Sequence, residues 1–226
     1  MSRKQASTPA MQRLINFFDP LVRGLDERGR SLDEILNWND RKLDKEHDYI
    51  QTLFPLPEKS NFSLVAPVLD EETVVIFHKS PDLKARLIRA VKRILLIYGF
   101  EAQVKEGTSD RLLIATMETE GNGWARWLTA SSHNHRRITR IIRSLRILGL
   151  PGVAWDVYRA FVTIYKFRGV VERRAVAYWT RALRDPVFMS PDGIETNWLR
   201  RYRMGCPVTG PWCWEELRND RPFSYT

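Results

Sequence analysis

The sequence predicts an all-α, single globular domain, and three observations carry that prediction. Residues 132–150 place Ile138, Ile141, Ile142, Leu145 and Leu148 at the three- and four-residue intervals of one helix face. Residues 81–98 repeat the spacing with Leu83, Leu87, Ile88, Val91, Ile94, Leu95 and Tyr98. Both stretches carry helix punctuation: Ser80-Pro81 opens one and Gly99 closes it, and Gly149 followed by Pro151 closes the other. Seven or eight helices are expected around these two. A chain of 226 residues with 43% hydrophobic residues is long and apolar enough to bury such a core. The expected division is a lead over 1–30 with a short helix, a helical domain over 31–188, and a Pro/Gly/Trp-rich, irregular aromatic extension over 189–226.

In chain order, residues 9–18 read as that short helix, with Met11, Leu14, Ile15 and Phe18 on one side, and Asp19-Pro20 breaks it. Ser31 with Glu34 three residues on is a capping box for a helix whose apolar side is Leu32, Ile35, Leu36 and Trp38. Asn39-Asp40 caps a further helix expected to run to about Leu53, with Leu43, His47, Ile50 and Phe54 on one side. Pro55 and Pro57 then impose an extended loop. The run TVVIFH suits a strand by its β-branched content, but acidic residues before it and Ser80-Pro81 after it favour a helix. Ser80-Pro81-Asp82 opens the longest helix. Residues 101–123 are the least regular part, a small hairpin or an insertion around LLIATM. WARWL reads as a short helix docked on the core, and residues 151–168 and 171–185 as two more helices joined at Gly169.

Thirty-six Lys and Arg against 27 Asp and Glu leave a formal charge of +9. That balance favours nucleic acid, acidic proteins or anionic lipid as partners. The cations fall in two rows, Arg86, Arg89 and Arg93 on one long helix and Arg136, Arg140 and Arg143 on the other. These six are the candidate basic surface, with a solvated helix face as the plainer alternative. Two cysteines, Cys206 and Cys213, fit a reducing compartment. The polar N-terminus gives no support for a signal peptide, and no apolar run approaches the roughly 20 residues of a membrane span. Surface association with a membrane stays open.

A second group is a candidate polar cluster: Asp44, His47 and Gln51, one helical turn apart, with Arg137, which flanks the apolar stripe of residues 132–150. Its carboxylate partner is expected to be Asp44 or Glu46, so that the two stretches meet in space. His133 and His135 form an H-x-H without a nearby Cys or acidic ligand, so no metal site is assigned, and an Asn134 N-cap explains the segment instead. No phosphate-binding loop, dinucleotide fingerprint or nucleophile elbow is present; neither an enzyme nor a cofactor is expected.

Two stretches together resemble the conserved region of the opioid growth factor receptor family. The first is Trp38 followed by LDKEHDYIQTLFP, where Leu43, Asp44, His47, Tyr49, Ile50, Gln51, Leu53, Phe54 and Pro55 match the family pattern. The second is HNHRRITRIIRSLRILG, where His133, Asn134, Arg137, Ile138, Thr139, Arg140, Ile141, Ser144, Leu145, Leu148 and Gly149 match. Thr52 stands where the family usually has Trp, and His135 where it has Tyr. The resemblance covers residues 31–188. It implies a non-catalytic, receptor-like domain that binds a Met-enkephalin-type opioid peptide at the nucleus or its periphery and restrains growth. It assigns no ligand-contact residue.

Overall fold

The computed structural model describes residues 9–60, 63, 65–117 and 122–201. Cys206, Cys213 and most of the aromatic extension lie outside the described residues. Over those residues the chain is mostly helical with one two-stranded sheet, which corrects the all-α expectation: residues 101–123 take the hairpin alternative.

The helices follow the local signals closely at their starts. Helix α1 (Pro9–Phe18) buries Met11, Leu14, Ile15, Phe17 and Phe18. In α2 (Leu32–Leu36) the Ser31 side chain accepts from Glu34 N, and in α3 (Asp40–Lys45) the Asn39 side chain accepts from Lys42 N. The expected run to Leu53 is broken. Residues 46–48 are not helical, and a separate α4 (Tyr49–Leu53) follows. A continuous helix would need the Leu43 and Glu46 carbonyls as acceptors. The Tyr49 hydroxyl donates to the first at 2.6 Å, and Arg137 donates to both.

Asp70 caps α5 (Glu71–Lys79), so the ambiguous TVVIFH run is helical. Ser80 and Pro81 start α6 (Pro81–Ile97), whose seven predicted core positions are all buried. The chain reverses at Gly99, φ +85°, into β1 (Phe100–Val104) and β2 (Leu112–Thr116), paired antiparallel with Phe100 opposite Thr116. Gly123, in α7 (Asn122–Ala125), packs so tightly on that reversal that an added Cβ would lie 2.6 Å from Gly99 Cα.

Helix α8 (His133–Ile147) is central, packed on both α9 (Pro151–Arg168) and α10 (Arg173–Arg184). At 18 residues α9 slightly exceeds α6 at 17. Ten α-helices are found among the described residues rather than seven or eight, because the 39–53 stretch divides and short turns such as α7 count separately. A cluster of Tyr98, Phe100, Trp127, Phe161 and Trp179, all fully buried or nearly so, joins the hairpin to α6, α9 and α10. No helix among the described residues is long and apolar enough to cross a membrane.

Candidate functional site

The two arginine rows do not make one basic surface, and this corrects the sequence expectation. Arg86 is 8% exposed and forks onto both Asp33 oxygens at 3.0 Å, with Arg89 on the same carboxylate. Its bonds hold Asp33 below the usual carboxylate range. Arg93 donates to the carbonyls of Leu36 and Trp38 and to Asp40. Arg140 donates to the Phe54 carbonyl at 3.0 Å. Arg143, 2% exposed, reaches Val187 and Met189 carbonyls and the Glu58 carboxylate. Of the six candidates, Arg89 and Arg136 are exposed.

The physical reason is where helices leave acceptors. The last turn of a helix ends in unpaired carbonyls that carry partial negative charge. A guanidinium is a planar, weakly hydrated fork that can take two of them in a dry setting. Arg93 serves α2 in this way, Arg137 α3, Arg140 α4, and Arg126 α6 through the Ile97 carbonyl at 3.0 Å. Arg146 serves α10, at 2.7 Å from the Ala182 and 2.8 Å from the Asp185 carbonyl. His78 Nε2 donates to Ile147 at the end of α8, 2.9 Å away. Burial pulls Arg140 and Arg146 down to about 10, which leaves both charged at neutral pH.

The polar cluster is a junction between α3 and α8. Arg137 Nη1 donates to the Leu43 carbonyl at 3.0 Å, and Nη2 to the Glu46 carbonyl and to His47 Nδ1. Its partners are thus carbonyls and an imidazole, not the carboxylate of Asp44 or Glu46. Asn134 Nδ2 donates to Asp44 Oδ1 at 3.0 Å, and Asn134 Oδ1 accepts from the Tyr98 hydroxyl at 2.9 Å. Ser132, not Asn134, is the N-cap of α8. His47 is not on an apolar face; it lies exposed in the break after α3, its ring 4.9 Å edge-on from His133. Gln51 is buried in α4, with Oε1 unpartnered among the described residues, and makes no hydrogen bond to the other three. Thr52 and His135, the two departures from the family pattern, are each 7% exposed, so both substitutions act inside the core. Among the described residues no three of His, Cys, Asp and Glu are placed to hold a metal ion.

Sequence reasoning missed a concave feature, a groove of about 180 Å³ between β2 and α9. Phe100, Leu112, Ile114, Ala160 and Ile164 supply its apolar surface, and Thr116, Asp156, Arg159 and Thr163 its polar one. Asp156 closes one end. Arg111 Nε and Nη2 donate to its two oxygens at 2.8 and 2.6 Å, and Leu112 N donates to Oδ2 at 2.8 Å. The Asp156 hydrogen bond raises the Arg111 guanidinium's pKa. Gly152, one turn earlier on α9, lets the helix meet the strand's lead-in, since a Cβ there would sit 2.5 Å from the Asp110 carbonyl. Only the suggestion of a hairpin around LLIATM pointed here.

Residues 22–188 match the family model described as the opioid growth factor receptor conserved region. The chain is 34% identical over 137 residues to the rat opioid growth factor receptor, covering 59% of this chain and 23% of that protein. It is 33% identical over 152 residues to the human one, covering 66% and 21%. Against the mouse opioid growth factor receptor-like protein 1 it is 32% identical over 169 residues, covering 70% and 34%. The chain thus spans between a fifth and about a third of the length of these relatives. No solved structure matches it.

Proposed function

The chain belongs to the opioid growth factor receptor family, and from that premise we propose that it is a non-catalytic, receptor-like domain that binds an enkephalin-type peptide in the groove between β2 and α9. The observation that carries this reading is the groove itself, lined by apolar and polar side chains together, with the exposed Arg159 among them. At about 180 Å³ it lies below the roughly 300 Å³ of a pocket for a drug-sized ligand, and suits one side chain of a peptide. Arg159 is exposed, and among the described residues no carboxylate pairs with it, so it offers a partner to the peptide's terminal carboxylate. Negative regulation of growth and a nuclear or perinuclear location belong to the same proposal, through the family.

The test is a tryptophan-fluorescence titration with Met-enkephalin. Trp127 stacks on Phe100, a residue of the groove, with ring centroids 6.0 Å apart, and so reports on it. Saturable binding that weakens with Arg159→Glu is the expected result; no saturable signal, confirmed by calorimetry, refutes the reading.

A second reading, contact with an acidic protein or nucleic acid, retains one surface. Lys166, Arg168, Arg173 and Arg174 are exposed at the corner between α9 and α10, around Phe167, which is 82% exposed. Among the described residues no carboxylate pairs with these four. Binding of short duplex DNA that collapses as salt rises would favour this reading.

A further inference from the structure

We infer that the outer edge of β2, unpaired at Ile114 and Thr116 among the described residues, takes an extended peptide by strand addition, the peptide's backbone pairing with these two residues while one side chain fills the groove. The inference rests on the peptide-binding reading and names its mode.

The phase of the hairpin ladder decides which backbone groups are free. Lys105 N donates to the Arg111 carbonyl and Met117 N to the Gly99 carbonyl, at 3.0 and 3.1 Å. With Phe100 opposite Thr116, residues 113 and 115 belong to the same bonded set as 111 and 117 and turn their N–H and C=O toward β1. Leu112, Ile114 and Thr116 turn theirs the other way. The Leu112 N–H shows where that is, because it meets Asp156 on α9. The next two residues of the same parity, Ile114 and Thr116, face along the groove, and among the described residues nothing hydrogen-bonds their backbone groups.

A row of donors and acceptors repeating at every second residue is complementary to another extended backbone and to little else. The groove beside it is side-chain sized and lined by both apolar and polar side chains, and Arg159 supplies a positive charge for an anionic end or side chain. Asp156 has both oxygens engaged and blocks the Leu112 end, so the incoming strand pairs from Ile114 onward.

The experiment is residue-resolved amide exchange on the full chain, with and without saturating Met-enkephalin, joined to affinity measurements on two variants. In the free protein Leu113 and Ala115 should exchange slowly and Ile114 and Thr116 fast. Peptide should slow the latter pair about tenfold or more. Thr116→Pro removes an outward N–H without touching the ladder to β1, and should weaken binding about tenfold at an unchanged melting temperature. Thr116→Val keeps that N–H and should retain more affinity than Thr116→Pro, the difference reporting on the backbone donor. Peptide that binds without protecting Ile114 and Thr116, or that binds Thr116→Pro as tightly as the parent, overturns strand addition and leaves the peptide reading standing. No peptide binding at all overturns both. Protection of Ile114 and Thr116 without peptide, rising with protein concentration, would mean that a second copy occupies the edge, and also overturns it.

Discussion

Arg137 on α8 and Leu43 at the end of α3 are 94 residues apart in sequence, and the guanidinium donates to the carbonyl at 3.0 Å. The same side chain holds the Glu46 carbonyl and His47 Nδ1. One arginine thereby ends a helix, fixes the break that follows it and joins the two stretches that carry the family resemblance. Arg137→Lys should lower stability by about 1–3 kcal/mol, because an ammonium cannot reach two carbonyls as a planar fork does. Arg137→Ala should cost about 3 kcal/mol or more, leaving buried acceptors unpaired. Urea denaturation measures both; equal stability of the lysine variant would show that charge alone is needed.

Asp156 and Arg111 pin the hairpin to α9, with side chains 4% and 11% exposed. Asp156→Asn removes the charge but keeps an oxygen for the Leu112 amide. The variant should lose about 3 kcal/mol, since one partner of a buried pair is left uncompensated. Amide exchange in β1 and β2 should rise more than in α8. Uniform loss across the domain would contradict a local anchoring role.

Gly152→Ala places a methyl 2.5 Å from the Asp110 carbonyl, a backbone atom that cannot swing aside. The helix and the strand's lead-in must separate, at about 1–3 kcal/mol. Peptide affinity should fall as well, because Gly152 lies one turn before Asp156, which lines the groove. A thermal melt beside the fluorescence titration would separate the two effects.

His135 is a pH lever on stability. Burial lowers its pKa, opposed by its hydrogen bond to the Trp127 carbonyl and by Glu172. The folded state therefore resists protonation more than the unfolded chain, whose histidine titrates near 6.5. The stabilisation is complete above that pH and is lost as pH falls through the lowered folded value. Melting temperature should fall between about pH 7 and pH 5, and His135→Gln should flatten part of that slope. His133 is shifted the same way but is about half exposed, so its weight is smaller.

Helix existence was legible because it is local. The caps at Ser31, Asn39 and Ser80 act within three residues of themselves, and the stripes on α6 and α8 report their own buried faces. The break at residues 46–48 was not legible, since a helix through His47 satisfies every local preference. Only Arg137, distant in sequence, removes the carbonyls it would use.

The sequence by itself determined a basic, mostly helical, single-core chain and the family to which it belongs, because periodicity, capping and motif identity are written in neighbouring residues. Tertiary structure alone decided what the arginines are for and where a groove lies. An arginine on a helix face looks the same in sequence whether it meets water or a carbonyl. Arg86 and Arg143 are internal because α2 and the segment from Val187 to Met189 fold over them. The groove exists because Asp156 on α9 fastens to the Leu112 end of β2, a relation between elements about 45 residues apart.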